Sequence, residues 1–98
     1  MRYALEIHPK AENETVDAYN WYEDQYNGLG EMFLSDLESV YKKIELNPDF
    51  FSKAGKGFRQ AVLKQFPYVV VYEIKRTRVV VYAVFHTSRN PKQKFKRK

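Results

Sequence analysis

The 98-residue chain contains no cysteine, which excludes disulfide bonds and thiolate-bound metal. Its longest apolar runs have the length of a β-strand, so no segment is predicted to cross a membrane. The N-terminal stretch MRYALEIHP lacks the uninterrupted apolar run of a signal peptide, and we therefore expect a cytoplasmic protein. The length predicts one domain with a single two-layer core.

Acidic residues are almost absent from the C-terminal part of the chain. Residues 59–98 contain eleven Lys or Arg and one acidic residue, Glu73, whereas residues 1–58 contain six Lys or Arg and eleven acidic residues. The net charge of +5 therefore conceals two oppositely charged halves. Such an asymmetry predicts an anionic partner for the basic half, either nucleic acid or an acidic protein, although for any single lysine a solvated surface position is the simpler interpretation.

The acidic half predicts a strand followed by two helices. Tyr3, Leu5 and Ile7 alternate with the polar residues Arg2, Glu6 and His8, which is typical of a half-buried strand, and Pro9 suits the first turn of a helix. Apolar residues at steps of three and four continue to the NGLG segment, whose glycines can end a helix. A second helix repeats this spacing and ends before Pro48. The short connection predicts antiparallel neighbours.

The basic half predicts three strands, at about residues 58–65, 69–74 and 79–85, after a loop that spans residues 47–58. The segment KRTR between the last two strands predicts a tight hairpin. The order is β-α-α-β-β-β, which predicts an α+β fold with the helical hairpin packed on an antiparallel sheet. Residues 1–91 form the predicted domain, and residues 92–98 form a basic tail.

Three segments together resemble the RelE/ParE superfamily, the toxins of bacterial type II toxin-antitoxin modules, which include plasmid stabilisation proteins. They are WYEDQYNGLGEMFLSDLESVYKKIELNP, FRQAVLKQFPYVVVYEI and VVVYAVFHTSRNP. The resemblance extends from Tyr3 to Pro91. It implies a cognate antitoxin as partner, whose acidic and partly disordered segment folds onto the toxin, and it implies no cofactor and no metal.

The resemblance implies two alternative activities. RelE-like members cleave messenger RNA on the ribosome by activating a ribose 2′-OH against the adjacent phosphate, without a metal. ParE-like members poison DNA gyrase and have no known hydrolytic site. The hypothesis favoured from the sequence is ribosome-dependent cleavage by an endoribonuclease, with gyrase inhibition as the alternative. A non-catalytic basic binding domain, such as a degenerate toxin, is a third possibility.

RNA cleavage of this kind requires proton transfer and fixed cations around a phosphate. His86 is the candidate acid or base, and Arg59 and Arg89 are the candidate charge stabilisers, at basic positions that match those of RelE-like nucleases. Phe95 stands in the tail, where many RelE-like nucleases carry a further tyrosine or histidine. The candidate phosphate- and RNA-binding residues are Lys56, Lys64, Lys92 and Lys94.

Each candidate also has a structural interpretation. His86 could bond to backbone at the end of its strand, and Arg59 could pair with a carboxylate or pack over Phe66 or Tyr68. The aromatic residues Trp21, Tyr22 and Tyr26 have helical spacing, which favours packing in the core or within the helical hairpin over stacking on bases.

Overall fold

The computed structural model describes residues 2–88, in which two helices pack on one face of a five-stranded sheet. This confirms the predicted α+β architecture. The elements in chain order are β1 Ala4–Ile7, α1 Pro9–Gln25, α2 Leu29–Leu46, a 3₁₀ helix Pro48–Phe50, β2 Ser52–Gly55, β3 Phe58–Val62, β4 Tyr68–Lys75 and β5 Arg78–His86. Among these residues, neither helix is long and apolar enough to cross a membrane.

The sheet has the strand order β1-β5-β4-β3-β2, with the two apolar strands β4 and β5 at its centre. Their continuous apolar runs predicted this position, because a central strand is covered on more of its surface than an edge strand. Residues 75 and 78 pair across the predicted KRTR hairpin. β1 runs parallel to β5, while the other pairs are antiparallel. The sheet is therefore mostly antiparallel, as predicted, and only the pairing of β1 with β5 departs from that arrangement.

The segment predicted as a loop, residues 47–58, contains a further strand. Ser52 pairs with Gln60 and Lys53 with Arg59, so β2 forms the edge of the sheet beside β3. The prediction failed because the strand has four residues, SKAG, and no apolar alternation. Its pairing depends on the turn that follows, where Lys56 and Gly57 both have positive φ, as a two-residue hairpin loop of type I′ requires.

The main core lies between the helices and the sheet and contains a cluster of aromatic rings. Tyr22 of α1 packs against Phe33 of α2, with ring centroids 5.7 Å apart, and against Phe66 at 4.8 Å. Phe33 also contacts Tyr68 of β4, at 5.0 Å. The first contact is stacked and the other two are edge-on, and aromatic contacts of both kinds add about 0.5–1.5 kcal/mol each to the free energy of apolar burial. These rings join both helices to the start of β4.

Two of the three aromatic residues for which packing was predicted, Trp21 and Tyr26, do not enter the core. Trp21 is 46% exposed and Tyr26, which follows the last helical residue, is 73% exposed. Tyr22 therefore packs in the core as predicted, and Trp21 packs edge-on against Tyr22 with ring centroids 5.1 Å apart, whereas Tyr26 remains largely exposed. The helix turns by 100° per residue, so only one residue of the adjacent pair at positions 21 and 22 can point at the sheet.

The helical hairpin is closed by hydrogen bonds from backbone N–H groups to a carboxylate. Glu23 of α1 accepts from the N–H groups of Gly28 and Gly30, both at 2.8 Å. These donors begin α2 and have no partner within the helix, so the carboxylate satisfies them and interacts favourably with the helix dipole. At Gly30 a Cβ would lie 2.8 Å from the backbone oxygen of Tyr19. Glycine therefore permits the close approach of the two helices.

Asp36 is the only buried charged side chain among residues 2–88. It lies on the core side of α2, and its carboxylate accepts hydrogen bonds from three consecutive backbone N–H groups of the loop between β3 and β4. The donors are Lys64 at 3.2 Å, Gln65 at 2.7 Å and Phe66 at 3.0 Å. The sequence analysis did not identify this role, although an aspartate within the apolar stripe of a helix was a visible signal. The interaction fixes the loop against the helix layer.

We expect Asp36→Asn to lower the free energy of unfolding by about 2–3 kcal/mol, because the amide has one acceptor oxygen and its NH₂ group faces backbone donors. Urea denaturation followed by circular dichroism measures this change. Asp17→Asn, at an exposed position of α1, is the matched control and should change stability by less than about 0.5 kcal/mol. Equal effects of the two substitutions would contradict a structural role for Asp36.

Candidate functional site

The predicted charge stabiliser Arg59 and the predicted acid or base His86 lie at opposite ends of the sheet. Arg59 of β3 pairs with Tyr72 of β4, whereas His86 of β5 pairs with Tyr68 of β4. Four residues along β4 and two strand spacings across the sheet separate their Cα atoms by about 16 Å. The fold therefore does not bring these two residues together.

The guanidinium group of Arg59 is held on the side of β3 that faces away from β5. It donates a hydrogen bond to the backbone oxygen of Phe51 at 2.7 Å, and it lies 3.6 Å from the carboxylate of Asp49. Phe51 directly precedes the edge strand β2, so these contacts connect β3 to the segment between α2 and the sheet. They match the structural interpretation, in which Arg59 pairs with a carboxylate.

The cross-strand neighbour of Arg59 reinforces this connection. The hydroxyl of Tyr72 donates to the backbone oxygen of Pro48 at 2.6 Å, and the Tyr72 side chain is fully buried. Burial raises the pKa of Tyr72 to about 12, and the nearby Arg59 opposes that increase. Tyr72 therefore stays protonated near neutral pH and acts as a hydrogen-bond donor. Together with Arg59 it holds the 3₁₀ segment against the sheet.

His86 ends β5 and contacts both a backbone N–H group and an aromatic ring. Its Nδ1 accepts a hydrogen bond from the backbone N–H of Ser88 at 3.0 Å, and its ring packs edge-on against buried Tyr68 with centroids 5.3 Å apart. The first contact matches the structural interpretation of a strand-end histidine. It also assigns one ring atom, because Nδ1 acts as a hydrogen-bond acceptor here and its lone pair is engaged by Ser88.

Lys64 lies at the same end of the sheet as His86. The preceding residue, Leu63, donates to the backbone oxygen of Tyr68, which pairs in turn with His86. The backbone positions of Lys64 and His86 are therefore separated by about two strand spacings, or roughly 10 Å. Lys64 also borders a shallow groove of about 310 Å³, lined by Met32, Ser35, Asp36, Ser39, Lys64 and Gln65.

The remaining predicted residues do not form one site with His86 and Lys64 within the described part of the chain. Lys56 lies in the turn between β2 and β3, at the opposite end of the sheet from His86. Arg89, Lys92 and Lys94 lie outside the described residues, as does the predicted tail. Three His, Asp or Glu side chains that could hold a metal ion do not converge anywhere within residues 2–88.

Tyr82 of β5 has a hydroxyl that could in principle transfer a proton, and its environment disfavours a role as base. Burial, followed by a hydrogen bond to Glu73 at 2.9 Å, raises the pKa of its hydroxyl above the ordinary value for tyrosine. A raised pKa reduces the fraction of phenolate near neutral pH. The carboxylate acts in the same direction, since it stabilises the protonated hydroxyl.

Glu14 of α1 has a role that the sequence analysis missed. It accepts a hydrogen bond from the backbone N–H of Val84 at 2.8 Å, and its other oxygen lies 2.6 Å from Nζ of Lys10. β1 pairs with β5 only as far as Val81, so the carboxylate takes over where the neighbouring strand has ended. It positions α1 beside the half of β5 that leads to His86. An acidic residue in an acidic helix gave no distinguishing signal for this contact.

The arrangement resembles known toxins in sequence and in fold. A family model described as "ParE toxin of type II toxin-antitoxin system, parDE" matches residues 5–91. The chain belongs to this ParE toxin family. Toxin ParE2 of two Mycobacterium tuberculosis strains, CDC 1551 / Oshkosh and ATCC 25618 / H37Rv, is 28% identical to it over 95 residues, which cover 93% of this chain and 88% of each relative.

A solved structure described as "Chromosomal ParDE TA system from P. aeruginosa" has the same fold. Its TM-score is 0.77, with 13% sequence identity, and the match covers 87% of this chain and 96% of that chain. The protein is thus a ParE-like toxin of a type II toxin-antitoxin system, and a toxin of the ParDE type implies a cognate antitoxin.

We expect Arg59→Ala to lower the free energy of unfolding by about 1–3 kcal/mol, because it removes a hydrogen bond from a charged donor to a partly buried carbonyl. His86→Gln should have a smaller effect, within about 0.5 kcal/mol, since the position is only partly buried and glutamine keeps an acceptor. Thermal and urea unfolding of the two variants measure the difference. An Arg59→Ala protein as stable as the wild type would contradict the structural role.

Proposed function

We propose that this ParE-family toxin inhibits DNA gyrase by binding, without hydrolysing nucleic acid. The observation that carries the proposal is the position of Arg59. Its guanidinium group bonds to the Phe51 carbonyl and lies beside Asp49, about 16 Å in backbone distance from His86. A nuclease that stabilises charge on a phosphate needs cations directed at the same atoms as the proton-transfer group. Arg59 is engaged elsewhere.

Family membership supports the same activity. The resemblance to the RelE/ParE superfamily implied gyrase poisoning for ParE-like members and messenger RNA cleavage for RelE-like members, and the matching family model and relatives are of the ParE type. The sequence-based preference for cleavage rested on a set of cations around His86. Because Arg59 has a structural role, one of the three candidate catalytic residues, His86, Arg59 and Arg89, is no longer available to support cleavage.

Ribosome-dependent messenger RNA cleavage is the second candidate, and one observation favours it. Lys64 and His86 share one end of the sheet, and Arg89 follows His86 by three residues in the sequence. Attack of a 2′-OH on a phosphate requires a base for the hydroxyl proton, an acid for the leaving 5′ oxygen and cations that stabilise the phosphate charge, and His86, Lys64 and Arg89 are residue types that can fill these roles.

The antitoxin is the third element of the proposal. We expect its binding segment to be acidic, because residues 59–98 contain eleven Lys or Arg and one carboxylate. A partly disordered acidic segment can cover an extended basic surface and can fold as it binds. Toxicity would then depend on the antitoxin being absent or degraded.

One pair of assays on the same purified protein separates the two activities. Wild-type protein should block supercoiling of relaxed plasmid by gyrase and should leave a defined messenger RNA intact on purified ribosomes. His86→Gln should inhibit gyrase as well as the wild type does. In a nuclease that uses His86, the substitution should lower cleavage by about 10²-fold. Cleaved RNA together with unaffected supercoiling would overturn the proposal.

Growth provides the corresponding test in cells. Expression of the toxin alone should arrest growth, and co-expression of the adjacent antitoxin gene should restore it. Unimpaired growth at good soluble expression would identify a degenerate toxin, which is the remaining alternative from the sequence. Arrested cells should also accumulate relaxed plasmid DNA, a result that translation inhibition alone does not predict.

A further inference from the structure

Two basic residues occupy strained backbone positions at one end of the sheet. Lys56 has φ of 54° and Arg76 has φ of 57°, and no other non-glycine residue in the described part of the chain has positive φ. Side chains other than glycine, asparagine and aspartate rarely take this left-handed conformation, because the Cβ approaches the backbone closely. Both residues are in two-residue hairpin turns, where glycine or asparagine is the usual choice.

Glycine at either position would therefore relieve strain. Glycine occupies the positions on both sides of Lys56, where Gly55 and Gly57 have φ of 88° and 85°. The chain uses glycine where the turn needs it, yet it has a long cationic side chain at the tip of each hairpin. Backbone strain that the fold does not require suggests that the side chain has a function. The property that Lys56 and Arg76 share is positive charge.

The two turns project from the same end of the sheet. Phe58, which follows the first turn, pairs with Glu73, and the second turn begins two residues beyond Glu73. Two strand spacings across the sheet and two residues along it place the turns about 12 Å apart. We call residues 53–59 and 73–78 the hairpin pole. It contains one carboxylate, Glu73, and six cationic side chains: Lys53, Lys56, Arg59, Lys75, Arg76 and Arg78.

Half of these cations have carboxylate partners. Arg59 lies beside Asp49, Lys75 beside Glu73 and Arg78 beside Glu6. Within residues 2–88, no carboxylate lies within ion-pair distance of the other three cations, which are the exposed residues Lys53, Lys56 and Arg76. The hairpin pole therefore presents a surplus of positive charge on two rigid turns.

A small concavity separates two of these charges. It has a volume of about 250 Å³ and is lined by Lys53, Gly55, Lys56, Gly57, Phe58 and Arg59. The glycines leave its backbone uncovered, since no atom lies within 4 Å of the position that a Cβ would take at Gly55 or Gly57. A phosphate group could approach the backbone and the lysines together at this point.

We propose that the hairpin pole binds the phosphate backbone of duplex DNA through Lys53, Lys56 and Arg76. The two turns are about 12 Å apart, which is comparable to the width of the major groove of B-DNA, about 12 Å, so cations on both turns can reach phosphates that border one groove. Contacts to phosphates carry no base information, so the binding is independent of sequence. The choice of DNA over RNA rests on the proposed function, because gyrase acts on a DNA duplex.

The test measures DNA binding in the absence of gyrase. Fluorescence anisotropy with a labelled duplex of about 20 base pairs should show an affinity that falls steeply from about 50 to 200 mM salt. Lys56→Gly and Arg76→Gly should each weaken binding about tenfold and should each reduce the slope of log affinity against log salt by about 0.9. Lys56→Arg should restore the affinity.

Stability provides a second readout. Replacement of a structural residue lowers the unfolding temperature, whereas replacement of Lys56 or Arg76 by glycine should not. Lys56→Gly and Arg76→Gly should leave the unfolding temperature unchanged or raise it, because glycine accepts positive φ without strain. Lys42→Gln, which removes one exposed charge from α2, is the matched control and should keep DNA affinity within about twofold. A fall in both stability and affinity of the glycine variants would contradict the proposal.

Further outcomes distinguish this proposal from the proposed function. Gyrase inhibition by a protein that does not bind the duplex would leave the proposed function intact and overturn the DNA site. Tighter binding to an RNA duplex or to single-stranded DNA of the same length would overturn the choice of partner. Loss of antitoxin binding in the glycine variants, with unchanged DNA affinity, would reassign the hairpin pole to the antitoxin.

Discussion

The carboxylate of Asp36 is the interaction on which the arrangement of the two layers depends. It is buried on α2, and it accepts three N–H groups from the loop that leads into β4, the central strand of the sheet. Without it, three consecutive backbone donors would lose their partners, at about 1–3 kcal/mol for each one left buried. The same loop contributes Phe66 to the aromatic core and presents Lys64 at the surface. One charged group therefore connects the core to the basic end that includes His86.

The uneven charge of the sequence has a simple consequence in three dimensions. The two helices contain most of the acidic residues, and three of their carboxylates bond to backbone N–H groups: Glu14, Glu23 and Asp36. The central strands are apolar and buried, so their flanking cations can only lie at the ends of the sheet. This produces two separate basic ends, one with Lys64 and His86 and one at the hairpin pole, where the sequence had suggested a single basic surface.

Regular spacing made most of the fold predictable, and irregular features made the rest unpredictable. Both helices and β1 have apolar periodicity, β4 and β5 are continuous apolar runs, and the sequence analysis identified all five of them together with β3. β2 has no apolar pattern, and its pairing with β3 requires positive φ at Lys56. Lysine is rarely found at such a position, so the sequence did not indicate a hairpin turn there. For the candidate site, the sequence identified cations and a histidine by residue type. It could not show that Arg59 bonds to Phe51 and faces away from His86, because that depends on strand order.

The contrast between Arg59 and the hairpin-turn cations suggests which charges in this protein are available for a partner. Arg59 is partly buried and hydrogen-bonded, so a partner would have to break existing contacts before it could use the guanidinium group. Lys56 and Arg76 are exposed, and their backbones are held in a conformation that their side chains disfavour. Arg59 therefore stabilises the fold, whereas the backbone conformations of Lys56 and Arg76 slightly destabilise it. A cation at a position where it disfavours the backbone conformation is stronger evidence for binding than a cation that stabilises the fold. By this criterion Lys56 and Arg76 are better candidates for partner contacts than Arg59.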